Sequence, residues 1–481
     1  MSEPSLPEPT ASEPATPEAA APRPTEPEPP ARRPSARACL ALIADPDTFT
    51  ELPTPGGPGK PDGPLDWQGY GAALARAAER TGEQESVVCG RVRVGGTEAV
   101  VIAFEFGFLG GSLGTRTGDL IEAAHLHARS HRLPVVSLIA TGGSRMQEGM
   151  LALTQLQRVA RQSALTAQAG VPQLAVLRDP TTGGGWATLG AGADMVLALP
   201  GAQVGFAGSR VRPADADPAA YTAEAQFAAG HVDAVVRSEE LRSELALRLR
   251  LLTAPGAALP APVPHALGDL RRVESGWAAV EAARAPERPR ADAYLDAYFT
   301  QRTEISGDRC GGRDPGMRCG FGLRDGRTIA YAAQCGTATR PAGYRTAARL
   351  IRLADRLGIP VLTLVDTPGA ANDAAAEAAG AGPAIAEVFA AVAGARVPVT
   401  TLVIGEGGSG GALALAAPGR TWATPSSYFS VIAPELAAAI LKRPPSRVRE
   451  TADELRLRPQ DLVDLGVVRG VVGSGTDTSP Q

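Results

Sequence analysis

Apolar residues in this chain fall into short unbroken runs, most of them stopped by glycine. The clearest covers residues 400–417 (TTLVIGEGGSGGALALAA), where an apolar strand enters five glycines and leaves into an alanine-rich helix. Glycine permits positive φ and close approach to the main chain, and a helix start leaves N–H groups unpaired. The stretch therefore predicts a turn that offers backbone N–H groups to a negatively charged group. Upstream, Tyr70, Leu74, Ala77 and Ala78 recur at helical spacing. Residues 86–94 and 98–106 are predicted strands joined at Gly95-Gly96, with the loop 107–114 ending them. A helix over 119–131 leads to a fully buried strand, 134–140, stopped by Gly142-Gly143. A second unit follows: 171–178 is apolar, Asp179-Pro180 breaks it, and Thr181-Thr182-Gly183-Gly184-Gly185 turns into a helix near Trp186.

The pattern then recurs. Pro360 opens a strand that Gly369 stops, and Pro398 opens another with Gly410 in the turn after it; subtracting 226 gives Pro134, Gly143, Pro172 and Gly184. Ala198-x-Pro200 matches Ala423-x-Pro425 at an offset of 225. The chain reads as a tandem duplication of one β/α unit, its halves separated by the Pro/Ala-rich stretch 254–264 and a helical piece over 269–283.

Several chemistries compete for the glycine turn, beside a plain packing turn. Gly407, Ser409 and Gly411 fit the G-x-S-x-G nucleophile elbow, which needs a histidine after the serine. His125, His127, His131, His231 and His265 all lie upstream. Gly405, Gly407 and Gly410 fit G-x-G-x-x-G, which needs an acidic residue ending a second strand; the one candidate, Glu435, follows Ala-Pro in a turn-like context. The third reading is an oxyanion hole, in which N–H groups stabilise a developing O⁻ and each donor is worth about 3–4 kcal/mol. Two matched pairs of turns predict two such holes: Gly142 and Gly143 with Gly183 and Gly184, and Gly369 with Gly410 and Gly411. Ser144 and Ser409 read as turn residues. His127 and His131 are i,i+4 neighbours without acidic support for a metal.

Composition narrows the class. The 481 residues, 44% of them hydrophobic, allow two or three cored domains. A net charge of −4 with no basic cluster argues against nucleic acid, no apolar run reaches the roughly 18 residues of a membrane span, and the N-terminus does not read as a signal peptide. Cys39, Cys89, Cys310, Cys319 and Cys335 form no C-x-x-C pair, so reduced cytoplasmic thiols are expected, with neither zinc nor disulfide. Residues 1–36 hold eleven prolines and six glutamates and are expected to form a disordered tail.

Residues 134–211 (PVVSLIATGGSRMQEGMLALTQ through DPTTGGGWA to LPGAQVGFAGSRV) resemble the β subunit of bacterial acetyl-CoA carboxylase carboxyltransferase. Residues 344–440 (YRTAARLIRLADRLGIPVLTLVDTPG through GEGGSGGALALA to SSYFSVIAPELAAAI) resemble the α subunit. The whole is similar to a β–α fusion, which implies an α/β fold of two tandem crotonase-like (ClpP/crotonase) domains. The boundaries expected are a tail 1–36, a β-type domain 37–255, a linker 256–284, an α-type domain 285–475 and a tail 476–481.

The resemblance also implies a reaction. Carboxybiotin on a separate carrier protein loses CO₂, its ureido oxygen is held by Gly369, Gly410 and Gly411, and its freed nitrogen takes a proton from acetyl-CoA. The enolate oxygen is held by Gly142, Gly143, Gly183 and Gly184 while CO₂ adds, giving malonyl-CoA. Gly110, Gly111, Arg145, Phe206 and Ser430 are expected at the CoA thioester, Arg145 reaching a CoA phosphate unless it is a surface or interface residue. No A-M-K-M-type biotinylation site or ATP-binding carboxylase module is recognisable, so biotin carboxyl carrier protein and biotin carboxylase are expected as separate partners of a homodimer or larger homo-oligomer. The chain departs from the family in having no zinc ribbon and in reading AANDAAAEAAGAG over 370–382. A biotin-independent decarboxylase or thioester hydrolase, and a non-catalytic scaffold, stay open as alternatives.

Overall fold

Strands that are apolar on both faces must be covered on both, and here they build two sheets. The computed structural model describes residues 33–55, 60–254 and 259–473; most of the expected N-terminal tail (1–32) and the C-terminal residues from 474 lie outside them. The first sheet comprises β1 (Thr50–Glu51), β2 (Val87–Val94), β3 (Thr97–Phe104), β4 (Val135–Thr141), β5 (Gln173–Thr182), β6 (Met195–Ala198), β7 (Val204–Gly205) and β8 (Ala234–Val235). Its order is β1-β2-β3-β4-β5-β6-β8, with β7 on β5. The second comprises β9 (Gln301–Ile305), β10 (Met317–Arg324), β11 (Arg327–Gln334), β12 (Val361–Thr367), β13 (Val399–Gly408), β14 (Thr421–Ala423) and β15 (Tyr428–Ser430). Its order is β14-β13-β12-β11-β10-β9, with β15 on β13. Each sheet opens with three antiparallel strands, β1-β2-β3 or β9-β10-β11, and continues with parallel strands.

The duplication extends to hydrogen-bond register. β12 is β4 displaced by 226 positions, and β13 is β5 displaced by the same amount. The register slips between Ile139 and Thr141 in the first sheet and between Val365 and Thr367 in the second. The helices leading into these strands, Thr115–His131 and Pro341–Leu357, match at that offset too. Ahead of them the offset becomes 230, since Val100 pairs with Val135 and Ala330 with Val361.

Alternating side chains line opposite faces of each strand. Ile102, Val135, Ile139, Ala175 and Leu177 face one core of the first half, while Val101, Val136, Leu138, Leu174 and Val176 face another. That second core continues into Phe321, Ala330, Ile351, Val361 and Val403 of the second half. The helix Leu241–Thr253 packs on β2, β3 and β10 and so bridges the sheets. The described residues from Pro34 onward consequently form one compact unit. Ion pairs reinforce the junction: Asp233 meets Arg309 (2.5 Å) and Arg349 (2.8 Å), and Asp194 meets Arg356. Burial pushes the Asp233 carboxyl up, but the two guanidinium groups and the Val196 N–H outweigh it and hold it at about 2.

Three local expectations change. The strand 171–178 does not end at Asp179-Pro180, a cis peptide; β5 runs on to Thr182. Pro180 falls inside the register slip, where its missing N–H breaks no ladder bond. The helix expected from 119 starts at Thr115, where the Thr117 hydroxyl accepts from the Gly114 N–H at 3.1 Å. The helical piece 269–283 is helical only over Gly276–Arg284, capped by Ser275. Asp269 instead accepts the Arg271 N–H in a local turn that competes with helix. The stretch around it lies against the second sheet: Ala261 is buried, and Tyr298 donates to the Pro262 carbonyl at 2.7 Å. Among the described residues, no helix is long and apolar enough to cross a membrane.

Candidate active site

Both glycine turns sit where a parallel strand ends beside its neighbour, and the two are built alike. After β4, Gly143 has φ +111° and its N–H donates to the Thr141 hydroxyl oxygen at 3.1 Å. After β12, Gly369 has φ +141° and its N–H donates to Thr367 at 3.1 Å. The Gly143 carbonyl accepts from the Leu113 N–H (2.9 Å) and that of Gly369 from the Thr339 N–H (3.1 Å). Parallel bridges Leu113 to Ser144 and Thr339 to Ala370 complete the match at offset 226.

The turns after β5 and β13 close each site. Gly183 has φ +64°, and a Cβ placed on it would lie 3.0 Å from the Gly143 Cα, so the two first-half turns touch. Its counterpart is Ser409, which holds φ +59° despite its side chain. In the second half a Cβ on Gly408 would lie 2.0 Å from the Pro368 carbonyl oxygen, and one on Gly411 would lie 2.5 Å from the Ala370 nitrogen. Around Gly410 nothing comes within 4 Å.

Donor availability revises the expected holes. Gly142 donates to the Gly110 carbonyl at 2.8 Å, and Gly183 to the Phe206 carbonyl at 3.0 Å. With Gly143 on Thr141, three of the four expected first-half donors are engaged within the protein. The N–H groups of Gly184 and Gly185 have no partner among the described residues, nor do those of Gly410 and Gly411. Gly185 escaped the sequence reading, although the run of three glycines was the signal for it. Gly184 is also a packing position, since a Cβ there would lie 2.0 Å from Leu156 Cδ2.

The residues expected at the thioester scatter in role. Gly110 and Gly111 lie beneath the first turn, Gly111 against the Ala140 carbonyl. Phe206 is 71% exposed, and its counterpart Val431, which the sequence reading missed, is 73% exposed. Ser430 is buried and its hydroxyl donates to the Ile432 carbonyl at 2.7 Å. Arg145 requires a correction: at 1% exposure it is neither a surface residue nor open to a phosphate. Its guanidinium donates to Glu85 (3.0 Å), Tyr70 (3.2 Å) and the Ser112 carbonyl (2.7 Å). Glu148, beside it, is pushed up by burial, but Tyr70, Thr115 and Arg145 outweigh this and hold it below the usual carboxylate range. A buried ion-pair network, invisible to local pattern, thus supports the first turn.

No histidine hydrogen-bonds to Ser409 among the described residues, and His127 and His131 stack with ring centroids 4.0 Å apart. Under the second turn, burial pushes the Asp366 carboxyl up against the pull of Arg288 at 2.6 Å. Among the described residues nothing lies within 4 Å of a Cβ placed on Gly410; what the turns present is backbone N–H groups, suited to holding developing negative charge on oxygen.

Two solved structures share this fold. The transcarboxylase 12S core superposes with a TM-score of 0.75, covering 91% of this chain and 86% of that one at 21% identity. A single-chain, multi-domain long-chain acyl-CoA carboxylase superposes at 0.70, covering 91% of this chain and 44% of that one at 20% identity. In sequence, the profile described as carboxyl transferase domain matches residues 64–234, and that described as acetyl co-enzyme A carboxylase carboxyltransferase-like matches 269–478. Acetyl-coenzyme A carboxylase carboxyl transferase subunits beta/alpha of Saccharopolyspora erythraea is 40% identical over 431 residues, 85% of this chain and 75% of the relative. Its counterpart in Salinispora arenicola is also 40% identical, over 91% of this chain and 82% of the relative. A probable biotin-dependent acyl-coenzyme A carboxylase beta3 subunit of Mycobacterium bovis is 34% identical, over 86% and 84%. The chain belongs to the carboxyltransferase family of biotin-dependent acyl-CoA carboxylases.

Proposed function

We propose that this chain moves a carboxyl group from carboxybiotin, held on a separate carrier protein, to acetyl-CoA, giving malonyl-CoA. The observation that carries the proposal is the pairing of two like-built turns, each with unpartnered backbone N–H groups, in one chain. The open donors of Gly184 and Gly185 hold the thioester oxygen of the acyl group. Those of Gly410 and Gly411 hold the ureido oxygen of biotin, and nothing lies within 4 Å of a Cβ placed on Gly410. Bound biotin supplies the carboxyl group and then a basic nitrogen. Thr141 and Thr367 lock the neighbouring turns, Gly143, Gly183 and Gly369 supply the positive φ these turns take, and Gly183, Gly408 and Gly411 let the paired turns approach closely.

Acetyl-CoA as acceptor is supported by the names of the relatives above, whereas the M. bovis relative is named only for an acyl-CoA. Biotin carboxylase and the carrier protein act as separate partners in the cytoplasm. Exposed apolar side chains follow each turn: Met146 and Met150 after the first, Val431, Leu436 and Ile440 after the second. Self-association that places a β-type half (residues 37–255) against an α-type half (285–475) of another protomer would cover both and exclude water from the site.

The test is reconstitution with active biotin carboxylase and biotinylated carrier, comparing acetyl-, propionyl- and butyryl-CoA. Acetyl-CoA is expected to give the highest kcat/KM. A preference for propionyl-CoA would overturn the acceptor assignment, and no carboxylation of any of the three would overturn the proposed reaction.

A further inference from the structure

We infer that Tyr344 and Gln334 are positioning residues for the second turn, acting through the Gly411 carbonyl; the inference rests on the carboxyltransferase reading above. Both donate to that one oxygen, the Tyr344 hydroxyl at 3.1 Å and Gln334 Nε2 at 3.2 Å. Gln334 Nε2 also reaches the Thr339 hydroxyl at 3.1 Å, and Thr339 binds the Gly369 carbonyl through its own N–H. A side-chain brace therefore ties the turn after β12 to the turn after β13, directly behind the open N–H groups of Gly410 and Gly411.

The first half of the chain provides an internal control. At offset 226 Tyr344 corresponds to Gly118, and in the matched register Gln334 corresponds to Phe104. Gly118 carries no side chain, and the space beside it is taken by Gln155. Phe104 is an ordinary core residue. The Gly185 carbonyl, counterpart of that of Gly411, accepts no side-chain hydrogen bond among the described residues. The matched strand and turn of the first half thus form without the brace, leading there into a π-helical turn over Trp186–Gly190 in place of the α-helix Ser409–Leu413.

The brace also carries a cost that packing would avoid. Gln334 is fully buried, and its Oε1 has no hydrogen-bond partner among the described residues. An unpaired buried amide oxygen destabilises a fold, whereas an apolar residue at this position would not. Keeping an amide there makes sense for what its N–H₂ group holds. Fixing the Gly411 carbonyl fixes the Gly411–Ala412 peptide, the unit next to the one that carries the Gly411 N–H, and so limits how far the turn can rotate its donors; such preorganisation acts on turnover.

The experiment uses the full chain, with malonyl-CoA and biocytin, and follows acetyl-CoA release. Tyr344→Phe removes one hydroxyl and Gln334→Met keeps a flexible apolar chain of similar length. The expected result for the double variant is a fall in biocytin-dependent kcat of about tenfold or more, with KM for malonyl-CoA and the thermal midpoint close to wild type. Each single variant should lose less, because the other donor still holds the carbonyl. Unchanged kcat in a folded double variant would overturn the inference, as would a KM for malonyl-CoA that rises in proportion, which marks general loosening. If the double variant does not fold, Tyr344→Phe alone decides: an unchanged kcat overturns the inference. Failure of the wild-type chain to release acetyl-CoA in a biocytin-dependent way would instead overturn the carboxyltransferase reading on which the inference rests.

Discussion

Gly410→Ala separates chemistry from folding more cleanly than any other glycine of the two turns. A Cβ at Gly411 meets the Ala370 nitrogen and the Tyr344 oxygen at 2.5 Å, one at Gly184 meets Leu156, and Gly143 and Gly369 hold positive φ. Gly410 has neither constraint: nothing lies within 4 Å of the added Cβ and its φ is outside the positive region. It lies in the helix Ser409–Leu413, where alanine is favoured over glycine by about 0.5–1 kcal/mol. Stability should therefore hold or rise. Under the proposed function, however, the added methyl stands in the space through which an oxygen approaches the N–H groups. Loss of one hole donor costs about 10²- to 10³-fold in kcat, or roughly 3–4 kcal/mol. The expected outcome is a fall of about 100-fold in biocytin-dependent acetyl-CoA release from malonyl-CoA, with an unchanged thermal midpoint. Gly394→Ala, equally open but at the far end of another helix, serves as the control and should leave activity intact. A folded Gly410→Ala protein that keeps most of its turnover would refute the assignment of this turn.

Arg145→Leu should destabilise the chain by about 3–5 kcal/mol in urea unfolding, because it strands Glu85 and Glu148 in the interior; a raised acyl-CoA KM at unchanged stability would contradict the structural role. The Asp233 carboxyl is held at about 2, below its ordinary 3.8. Its contribution to stability is therefore fully present above pH 3.8 and lost as pH falls through about 2, and Asp233→Asn should flatten the acid limb of the unfolding curve over that window. Ile440→Glu and Met150→Glu should each shift the protein to a smaller species in analytical ultracentrifugation and lower activity with it; unchanged mass and rate would remove these faces from the proposed interface. Ser430→Ala should leave turnover within about twofold, since that hydroxyl is committed to the Ile432 carbonyl.

Much of the fold was legible because its signals are local. Apolar runs ending in glycine marked β4, β12 and β13, the apolar run before Asp179-Pro180 marked β5, and the offset of 226 carried the duplication. What stayed hidden depends on partners distant in sequence. Nothing near Arg145 announces that Glu85, 60 residues away, will bury it. The same holds for Tyr344 and Gln334, which meet Gly411 across separations of 67 and 77 residues. The sequence also could not say which N–H groups of a glycine run remain open, since Gly142 and Gly183 spend theirs on the carbonyls of Gly110 and Phe206. Strand continuation through Pro180 was missed because the register slip that accommodates it is a property of the paired strands.

The most direct test of the two-hole carboxyltransferase is biotin dependence itself. Purified full-length protein is mixed with malonyl-CoA, with and without biocytin, and acetyl-CoA release is followed. Release that requires biocytin is the expected result. Equal release in its absence would instead mark a decarboxylase or hydrolase, and no release from folded protein would contradict malonyl-CoA as its substrate.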